Sequence, residues 1–443
     1  MTLPEAFIKR TQSLANLDFD ALVKALENTP PTSVRVNNKM DYQPSTDKVA
    51  WCDSGYYLPE RPLFTADPLF HAGVYYVQEA SSMFLQQAVE QHFPTARTVL
   101  DLCAAPGGKS TLLSQALPES SLLVSNEIIR SRAYILAENL IKWGNPNVVV
   151  TNNEPKDFAE LPGFFDALVI DAPCSGEGMF RKDPGAIQEW SEYNVKICAE
   201  RQREILSSVW DTLKTDGILV YSTCTYNREE NEENVRWLCD NLGAELLTIN
   251  IKDNTDITVT DFGYRFYPHK TKGEGFFLSV LRKNSFVSRT IKNKKDDKKG
   301  IKFVTKANVE ALTLLDANRW TILPEENQIK AYDNDRITDF LLINKQLKCM
   351  HSGLLLGEMK GKDFIPATAI ALSKKLNKSS VEIIDVDYET AIMFLRKESI
   401  FLPDASRGYL LISYKGQALG WIKNMGNRSN NLYPQEWRIR MKI

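Results

Sequence analysis

Two cysteines follow two short apolar runs in the middle of the chain. Cys174 stands in the segment DAPCSGEG after the run Ala167–Ile170, and Cys224 stands in STCTY after the run Gly217–Tyr221. Parallel strands bring the residues that follow them to one edge of a sheet. Both thiols are therefore predicted to share one cleft, where a thiolate can act as the nucleophile of covalent catalysis.

The other interpretations of these thiols are weaker. A buried, inert cysteine is the usual case. We interpret Cys198 and Cys239, which lie in helical patterns, as buried and inert. The loop positions of Cys174 and Cys224 do not fit this interpretation. A zinc site would combine Cys103, Cys174 and Cys224, but their separations and the presence of only four histidines do not favour it. Seven cysteines with no Cys-x-x-Cys pair indicate a reducing compartment, and hence the cytoplasm, rather than a disulfide framework.

A loop of small residues follows the apolar run Thr98–Leu102. The segment DLCAAPGGKS, Asp101–Ser110, lets backbone N–H groups approach a ligand at the start of the next helix. A phosphate-binding P-loop would need a glycine five residues before Gly108, where Cys103 stands. Glu127, 19 residues after Gly108, is placed to accept hydrogen bonds from the ribose of a nucleoside cofactor. A solvated glutamate at a helix start is the alternative.

These motifs lie in a region, residues 97–283, that alternates apolar runs with helical patterns. Such alternation predicts an α/β fold with a parallel sheet covered by helices. The runs, rich in Val, Ile and Leu, are typical of strands buried on both faces. They are Thr98–Leu102, Ser121–Val124, Val148–Thr151, Ala167–Ile170, Gly217–Tyr221 and Phe276–Leu281.

The flanking regions differ from this core. Prolines break residues 1–96 into short mixed elements. Residues 307–443 are predicted to be a separate unit, with a helix over 308–318 and a small β-rich module at its close. The strands of that module are predicted at Tyr409–Tyr414 and Ala418–Ile422.

The charge of the chain is unevenly distributed. The net charge is −2, yet residues 282–306 hold ten Lys or Arg residues against two Asp, and residues 405–443 hold seven against one Glu. Two basic segments in an otherwise acidic chain suggest a polyanion held outside the core. For residues 282–306 a solvated linker is an equally good interpretation. No apolar run approaches the length of a membrane span, and the first residues do not resemble a secretory signal.

At this point the motifs identify a family. Asp101–Lys109, Asp171–Gly178 and Ser222–Tyr226 resemble three signature motifs of the Sun/NOP family, the S-adenosylmethionine-dependent RNA cytosine-C5 methyltransferases. The C-terminal segment GWIKNMGNRSNNLYPQEWRI is similar to the last module of the RsmF branch, which acts on small-subunit (16S) ribosomal RNA. Residues 284–400 match only loosely. The other similar stretches are Pro31–Asn37, Tyr76–Ser81 and Pro268–Phe277.

The resemblance implies an organisation for the whole chain. Residues 1–96 would form an N-terminal α+β subdomain for RNA recognition or support, and residues 97–283 a Rossmann-like class I methyltransferase core. Residues 284–306 would be a basic linker, and residues 307–443 would end in a β-rich, PUA-like RNA-binding module. The implied cofactor is S-adenosyl-L-methionine. The implied partner is ribosomal RNA, free or within the small ribosomal subunit, and we expect a cytoplasmic monomer without a metal ion.

The family's cofactor residues can be carried over to this sequence. Glu127 would bind the ribose hydroxyls, and Asp171 would lie between the cofactor and the target base. The family usually has an Asp after the third strand, near the adenine. This chain has Asn153 and Glu154 there, and either can take that role. The loop that would wrap the methionine and ribose consists of Cys103, Ala104, Ala105, Pro106, Gly107, Gly108 and Lys109.

The chemistry explains why such a family needs thiols. Cytosine C5 becomes a nucleophile once a thiolate adds to C6, and a base must then remove the C5 proton. Position alone does not rank the two cysteines; by the resemblance Cys224 is the nucleophile and Cys174 assists release. Asp171 can hydrogen-bond ring atom N3 as a donor when protonated. A nearby cation is needed to stabilise the thiolate form of Cys224. Lys109 and Lys182 are the candidates.

Two other functions stay open at the level of sequence. Transfer RNA is an alternative substrate, against which the RsmF-like C-terminus argues weakly. A ribosome-assembly factor that binds RNA would keep the fold while its catalysis is dispensable. Two cysteines within complete motifs favour the enzyme.

Overall fold

The computed structural model describes residues 1–14, 17–251, 256–286, 311 and 313–441. Most of the basic segment 282–306 and the start of the helix predicted over 308–318 lie outside these residues. Within the described part of the chain, no helix is long and apolar enough to cross a membrane.

The N-terminal domain has three helices and a small antiparallel sheet, and its first two helices pack against the central domain. The sheet has the order β2-β1-β3. The second helix begins where the Asp18 side chain accepts a hydrogen bond from the Ala21 N–H, 2.9 Å away. The third begins in the same way at Asp67, which accepts from the Leu69 N–H. The elements are α1 (Glu5–Gln12), α2 (Phe19–Glu27), β1 (Thr32–Val36), β2 (Gly55–Leu58), α3 (Pro68–His71) and β3 (Tyr75–Val77).

The central domain is a sheet of ten strands, of which five are parallel and adjacent. The main path is β10-β11-β12-β8-β7-β4-β5-β6-β15, and β9 pairs with β12. Helices connect the parallel strands, as predicted. The strands and helices are α4 (Leu85–His92), β4 (Thr98–Asp101), α5 (Gly108–Ala116), β5 (Leu122–Asn126), α6 (Arg130–Trp143), β6 (Val148–Thr151), β7 (Phe165–Asp171), α7 (Pro184–Glu189), α8 (Glu192–Val209), β8 (Leu213–Thr223), α9 (Glu232–Leu242), β9 (Ala244–Leu247), β10 (Thr258–Thr260), β11 (Gly263–Phe266) and β12 (Phe276–Lys283).

Alternate side chains of the parallel strands enter two different apolar layers. Val99 and Val169 belong to one buried cluster, whereas Leu100 and Ile170 belong to the other. This is the period of two that a strand imposes, with both faces covered. In the parallel pair β7–β8, Asp171 is in register with Ser222, so the loops that follow leave the sheet side by side.

The C-terminal region contributes one strand to the central sheet and forms two four-stranded sheets of its own, β13-β14-β16-β17 and β18-β19-β20-β21. The short strand β15 pairs antiparallel with β6, and Cys349 lies opposite Thr151. The apolar runs predicted over 409–414 and 418–422 are the hairpin β19–β20, whose turn has positive φ at Lys415 and Gly416. The elements are β13 (Trp320–Glu325), β14 (Gln328–Asp333), α10 (Ile337–Gln346), β15 (Cys349–Ser352), β16 (Leu354–Lys360), β17 (Asp363–Pro366), α11 (Thr368–Leu372), β18 (Ile383–Asp385), α12 (Tyr388–Leu395), β19 (Gly408–Tyr414), β20 (Gln417–Asn424) and β21 (Ser429–Asn431).

One lysine joins all three regions of the chain. The amino group of Lys39, which follows β1, donates hydrogen bonds to the carbonyl oxygens of Ala72, Lys142 and Leu372 at 2.9, 2.6 and 2.9 Å. These carbonyls stand at the C-terminal ends of α3, α6 and α11. A donor is favoured there, because a helix ends in unpaired carbonyls and partial negative charge.

We predict that Lys39→Met destabilises the protein by about 2 kcal/mol, because three carbonyls are left without their common donor. The free energy of unfolding in urea would measure the effect. Lys24→Met, at an exposed position of α2, is the control and should change it by less than about 0.5 kcal/mol. Equal stability of the two variants would contradict the prediction.

Candidate active site

The loop between β4 and α5 is held from the helix beside it. Gly107 has a φ of 116°, in the left-handed region that favours glycine. Arg132 donates to the Ala105 carbonyl at 2.7 Å, and Asn139 donates to the Pro106 carbonyl at 2.8 Å. Both donors belong to α6. The loop therefore has a fixed shape around the N-terminus of α5, where N–H groups can face a ligand.

Three carboxylates surround this loop. Asp101 is fully buried and accepts a hydrogen bond from Ser110 at 2.7 Å, while its Oδ1 has no partner within the described residues. Burial raises the pKa of Asp101 to about 7. Glu127, 4% exposed, accepts from the Ile129 N–H at 2.9 Å and faces Arg132 at 3.4 Å. Burial, followed by the charges of Asp101, Asp171 and Glu127, raises the pKa of the Cys103 thiol.

This acidic cradle suits a ligand that carries positive charge. Carboxylates stabilise a nearby cation, and an ionised acid as deeply buried as Asp101 needs such a partner. S-adenosylmethionine carries a sulfonium and an ammonium group, together with a ribose whose hydroxyls can donate to Glu127. The residues of the loop therefore fit this cofactor.

The two residues considered for the adenine contact have other partners. Asn153 donates through Nδ2 to Asp157 at 3.1 Å and accepts the Lys348 N–H at 3.0 Å. Glu154 is exposed and pairs with Lys156 at 2.6 Å. Lys348 directly precedes β15, so the C-terminal region supports this side of the site. The sequence could not reveal that contact, because Lys348 lies far along the chain from Asn153.

The two thiols of the predicted cleft are in contact. The sulfur atoms of Cys174 and Cys224 lie 3.1 Å apart. The pKa of Cys174 is raised well above its usual range by its hydrogen bond to Cys224, by burial and by the charge of Cys224. In this pair the proton therefore stays on Cys174, which can donate it toward the sulfur of Cys224.

A lysine and an aspartate form an ion pair that belongs to the same site. Lys109 and Asp171 form an ion pair of 2.8 Å, and Ser222 donates to the other oxygen of Asp171 at 2.8 Å. Burial works against the charge of Lys109, but Asp171, Asp101 and Cys224 outweigh it and raise the pKa of this lysine. Of the two candidate lysines, Lys109 is therefore the one whose charge interacts with Cys224. Lys182, the other candidate, lies 3.5 Å from Glu274 instead.

Two buried glutamates, which the sequence analysis did not single out, hold the two cysteine loops together. Glu177, in the first loop, accepts hydrogen bonds from the N–H groups of Tyr226 and Asn227 at 2.8 Å each. Glu230, beyond the second loop, accepts from the Ser175 N–H at 3.0 Å. Each loop thus supplies a carboxylate to the other. We call these two residues the carboxylate clamp.

The close approach of the two loops also requires glycine. A Cβ atom at Gly178 would lie 2.5 Å from the Gly275 carbonyl oxygen and 2.9 Å from that of Cys224. The Gly178 N–H donates to the same Cys224 carbonyl at 2.9 Å. Within the described residues, no group of three or more His, Cys, Asp or Glu side chains is arranged to hold a metal ion.

Family models cover most of this architecture. Residues 3–80 match the N-terminal domain of 16S rRNA methyltransferase RsmF. Residues 91–282, which contain every site residue described above except Lys348, match 16S rRNA methyltransferase RsmB/F. Residues 381–439 match the methyltransferase RsmF PUA domain.

Full-length relatives agree with these models. Ribosomal RNA small subunit methyltransferase F of Aliivibrio fischeri (strain MJ11) is 30% identical over 98% of this chain and 97% of its own length. The protein of that name from Cronobacter sakazakii is 31% identical over 98% and 96%. This chain belongs to the 16S rRNA methyltransferase F family. A solved methyltransferase homolog from Pyrococcus horikoshii is 29% identical, with a TM-score of 0.54 over 63% of this chain and 95% of that one.

Membership of the methyltransferase F family confirms the resemblance, the enzyme class and the cofactor, S-adenosylmethionine. The predicted fold class is confirmed as well: a methyltransferase core with an N-terminal domain and a C-terminal PUA domain.

We predict that Glu177→Gln lowers stability by about 2 kcal/mol, because an amide cannot accept from all the donors that this carboxylate serves. The methyl-transfer rate should fall roughly tenfold to a hundredfold as Cys224 is displaced. Thermal unfolding and single-turnover kinetics would measure both effects. Glu189→Gln, at an exposed position of α7, should leave both unchanged; a variant at 177 that behaves like this control would refute the role of the clamp.

Asp101→Asn should change how stability depends on pH. Asp101 has a pKa of about 7 in the folded chain and of about 4 when unfolded, so the folded state holds the extra proton between these values. Stability of the cofactor-free enzyme therefore falls as pH rises from about 4 to about 7. Asp101→Asn should not show the fall in stability that Asp101 causes over this pH range. It should also bind S-adenosylmethionine less tightly above pH 7. Thermal unfolding across this pH range, with Asp240→Asn as control, tests it; parallel curves for wild type and Asp101→Asn would contradict it.

Proposed function

We propose that this enzyme methylates C5 of a cytosine in 16S ribosomal RNA through a covalent bond between Cys224 and C6. The observation that carries the proposal is the contact of two thiols, 3.1 Å apart, one of which interacts with the charge of Lys109 in the Lys109–Asp171 ion pair. One thiol of such a pair can be the nucleophile while the other manages protons. The names of the curated relatives favour ribosomal RNA of the small subunit as the substrate.

The cofactor is held by residues of the first two strand ends. The loop from Cys103 to Lys109 wraps the methionine and ribose, and Glu127 accepts from the ribose hydroxyls. Asn153 is the better candidate for the adenine side, because the Glu154 carboxylate is exposed and paired with Lys156. When bound, S-adenosylmethionine supplies an electrophilic methyl group, which the activated C5 accepts.

Addition begins at Cys224. Lys109 favours its thiolate, and the S–H group of Cys174 donates to the same sulfur. The thiolate forms a bond to C6, and the electrons of the C5–C6 double bond become available at C5. Asp171 accepts hydrogen bonds from both Lys109 and Ser222, which supports Lys109 rather than Asp171 as the hydrogen-bond donor to ring atom N3.

Release is assigned to Cys174. In the free enzyme, its hydrogen bond to Cys224 and the charge of Cys224 raise its pKa. Once the Cys224 sulfur is bonded to C6 it carries no charge, so these two causes are removed while burial remains, and Cys174 can lose its proton to water. The Cys174 thiolate can then take the proton from C5. The electron pair of that C–H bond restores the C5–C6 double bond, and Cys224 leaves as a thiolate.

The experiment uses labelled S-adenosylmethionine with small ribosomal subunits, naked ribosomal RNA and transfer RNA, each free of its own modification. We expect label in 5-methylcytidine from one ribosomal substrate and its loss in Cys224→Ala. Cys239→Ala, on α9, is the matched control and should remain active. Label only in transfer RNA would overturn the substrate, and tight subunit binding without any label would favour the assembly factor.

Cys174→Ala should separate addition from release. Without a base to remove the C5 proton, the enzyme should accumulate as a protein–RNA adduct that persists under denaturation, which gel electrophoresis would detect. The double variant Cys174→Ala/Cys224→Ala should form no adduct. An adduct that forms in Cys224→Ala and not in Cys174→Ala would exchange the two roles.

A further inference from the structure

A groove of about 570 Å³ separates the N-terminal domain from the catalytic core. One wall consists of residues at the ends of β1, β2 and β3, including Glu60, Arg61 and Gln78. The other wall consists of Arg181 and Lys182 with the segment 268–273. No step of the mechanism above uses this groove.

Both walls of the groove contact loops of the candidate active site. A Cβ atom at Gly108 would lie 3.7 Å from the Gln78 side chain, so the wall that contains Gln78 lies beside the cofactor loop. At the other wall, Gly273 is two residues from Gly275, whose carbonyl oxygen packs against Gly178 below Cys224. A strand that enters the cleft of the two cysteines can therefore continue into the groove.

Of the cations that line the groove, Arg181 is engaged by a carboxylate, whereas Lys182 and Lys272 are available. The Glu274 carboxylate is bound by Arg181 at 2.9 and 3.0 Å, so Lys182, 3.5 Å away, is not needed to neutralise it. Lys272 pairs with Asp47, but both side chains are about half exposed (53% and 56%). Exposed pairs of this kind contribute little, so a phosphate can replace the carboxylate.

The two carboxylates that line the groove differ in whether neighbouring groups already bind them. Glu79 is occupied by the N–H groups of Ser81, Ser82 and Glu274, at 2.9, 3.0 and 2.8 Å. Glu60 is exposed at the rim, next to Arg61, which is exposed too and lies over the Phe64 ring at 5.4 Å. Adjacent residues of opposite charge thus face the groove on one wall.

We propose that this groove binds the single-stranded RNA segment that flanks the target cytosine, with Arg61, Lys182 and Lys272 on its phosphates. A base that reaches a catalytic cleft must leave its stack, so its neighbours must be held in an unpaired state. A cationic groove that follows the backbone is the usual means. The inference rests on the proposed function, because it takes the two-cysteine cleft as the place of the target base.

The test measures binding of a short, fluorescein-labelled single-stranded RNA by anisotropy at several salt concentrations. Arg61→Glu and Lys272→Glu should each weaken affinity about threefold to tenfold and lower the slope of log Kd against log salt by about 0.7 for each phosphate that the variant no longer neutralises. Glu60→Lys, beside Arg61, should strengthen binding and steepen the slope. Lys196→Glu, exposed on α8, is the control. Affinity for S-adenosylmethionine should stay constant in all four variants.

The outcomes separate this inference from the proposed function. If Arg61→Glu and Lys272→Glu keep the affinity and the salt dependence of the wild type, the groove does not bind RNA as proposed. This holds whether or not the wild type methylates ribosomal RNA. Weaker binding with a lower slope would support the groove even if the wild type formed no 5-methylcytidine, and only the proposed function would then fail. A loss as large in Lys196→Glu would also overturn the groove, because the effect would then reflect overall charge.

Discussion

The positions of the two thiols depend on two buried carboxylates that exchange partners between neighbouring loops. A thiol–thiol hydrogen bond is too weak to fix a distance, whereas a buried carboxylate left without donors costs several kcal/mol. Glu177 and Glu230 take backbone N–H groups from the opposite loop, so the loops cannot separate without exposing an unpaired charge inside the core. The 3.1 Å distance between the sulfur atoms of Cys174 and Cys224 is thus a consequence of these buried carboxylate contacts.

A buried arginine connects the N-terminal domain to the helix that follows the cofactor loop. Arg35, on β1, is fully buried above the Trp143 ring and donates to the side chains of Gln78, Gln115 and Thr111. Its partners in the described chain are uncharged, and burial lowers its pKa to about 10, which still leaves it charged near neutral pH. Because Gln115 and Thr111 lie on α5, this charge couples β1 to the helix that follows the cofactor loop. The N-terminal domain is therefore part of the catalytic unit.

Strand positions and the meeting of the two cysteines follow from local sequence patterns and could be predicted. The strand over Val148–Thr151 has the predicted bounds, and the parallel pairing of β7 with β8 brings the two cysteines together as expected. The clamp residues and Lys39 could not be predicted, because a single polar residue has no periodicity and its partners lie far along the chain. The strand β15 was missed for a related reason: CMHS is short, mixed in polarity and incompletely buried, so only its pairing with β6 makes it a strand.

Charge explains why RNA binding and catalysis occupy different parts of the surface. The cofactor site concentrates carboxylates, including Asp101, Glu127 and Asp171, which attract a sulfonium but repel phosphate. Cations that hold RNA are therefore expected outside it, as proposed for the groove beside the N-terminal domain and as the basic composition of residues 405–443 suggests. These parts are not independent of the site, since side chains of the N-terminal and PUA domains share one apolar cluster. The net charge of −2 thus averages acidic and basic parts of the chain.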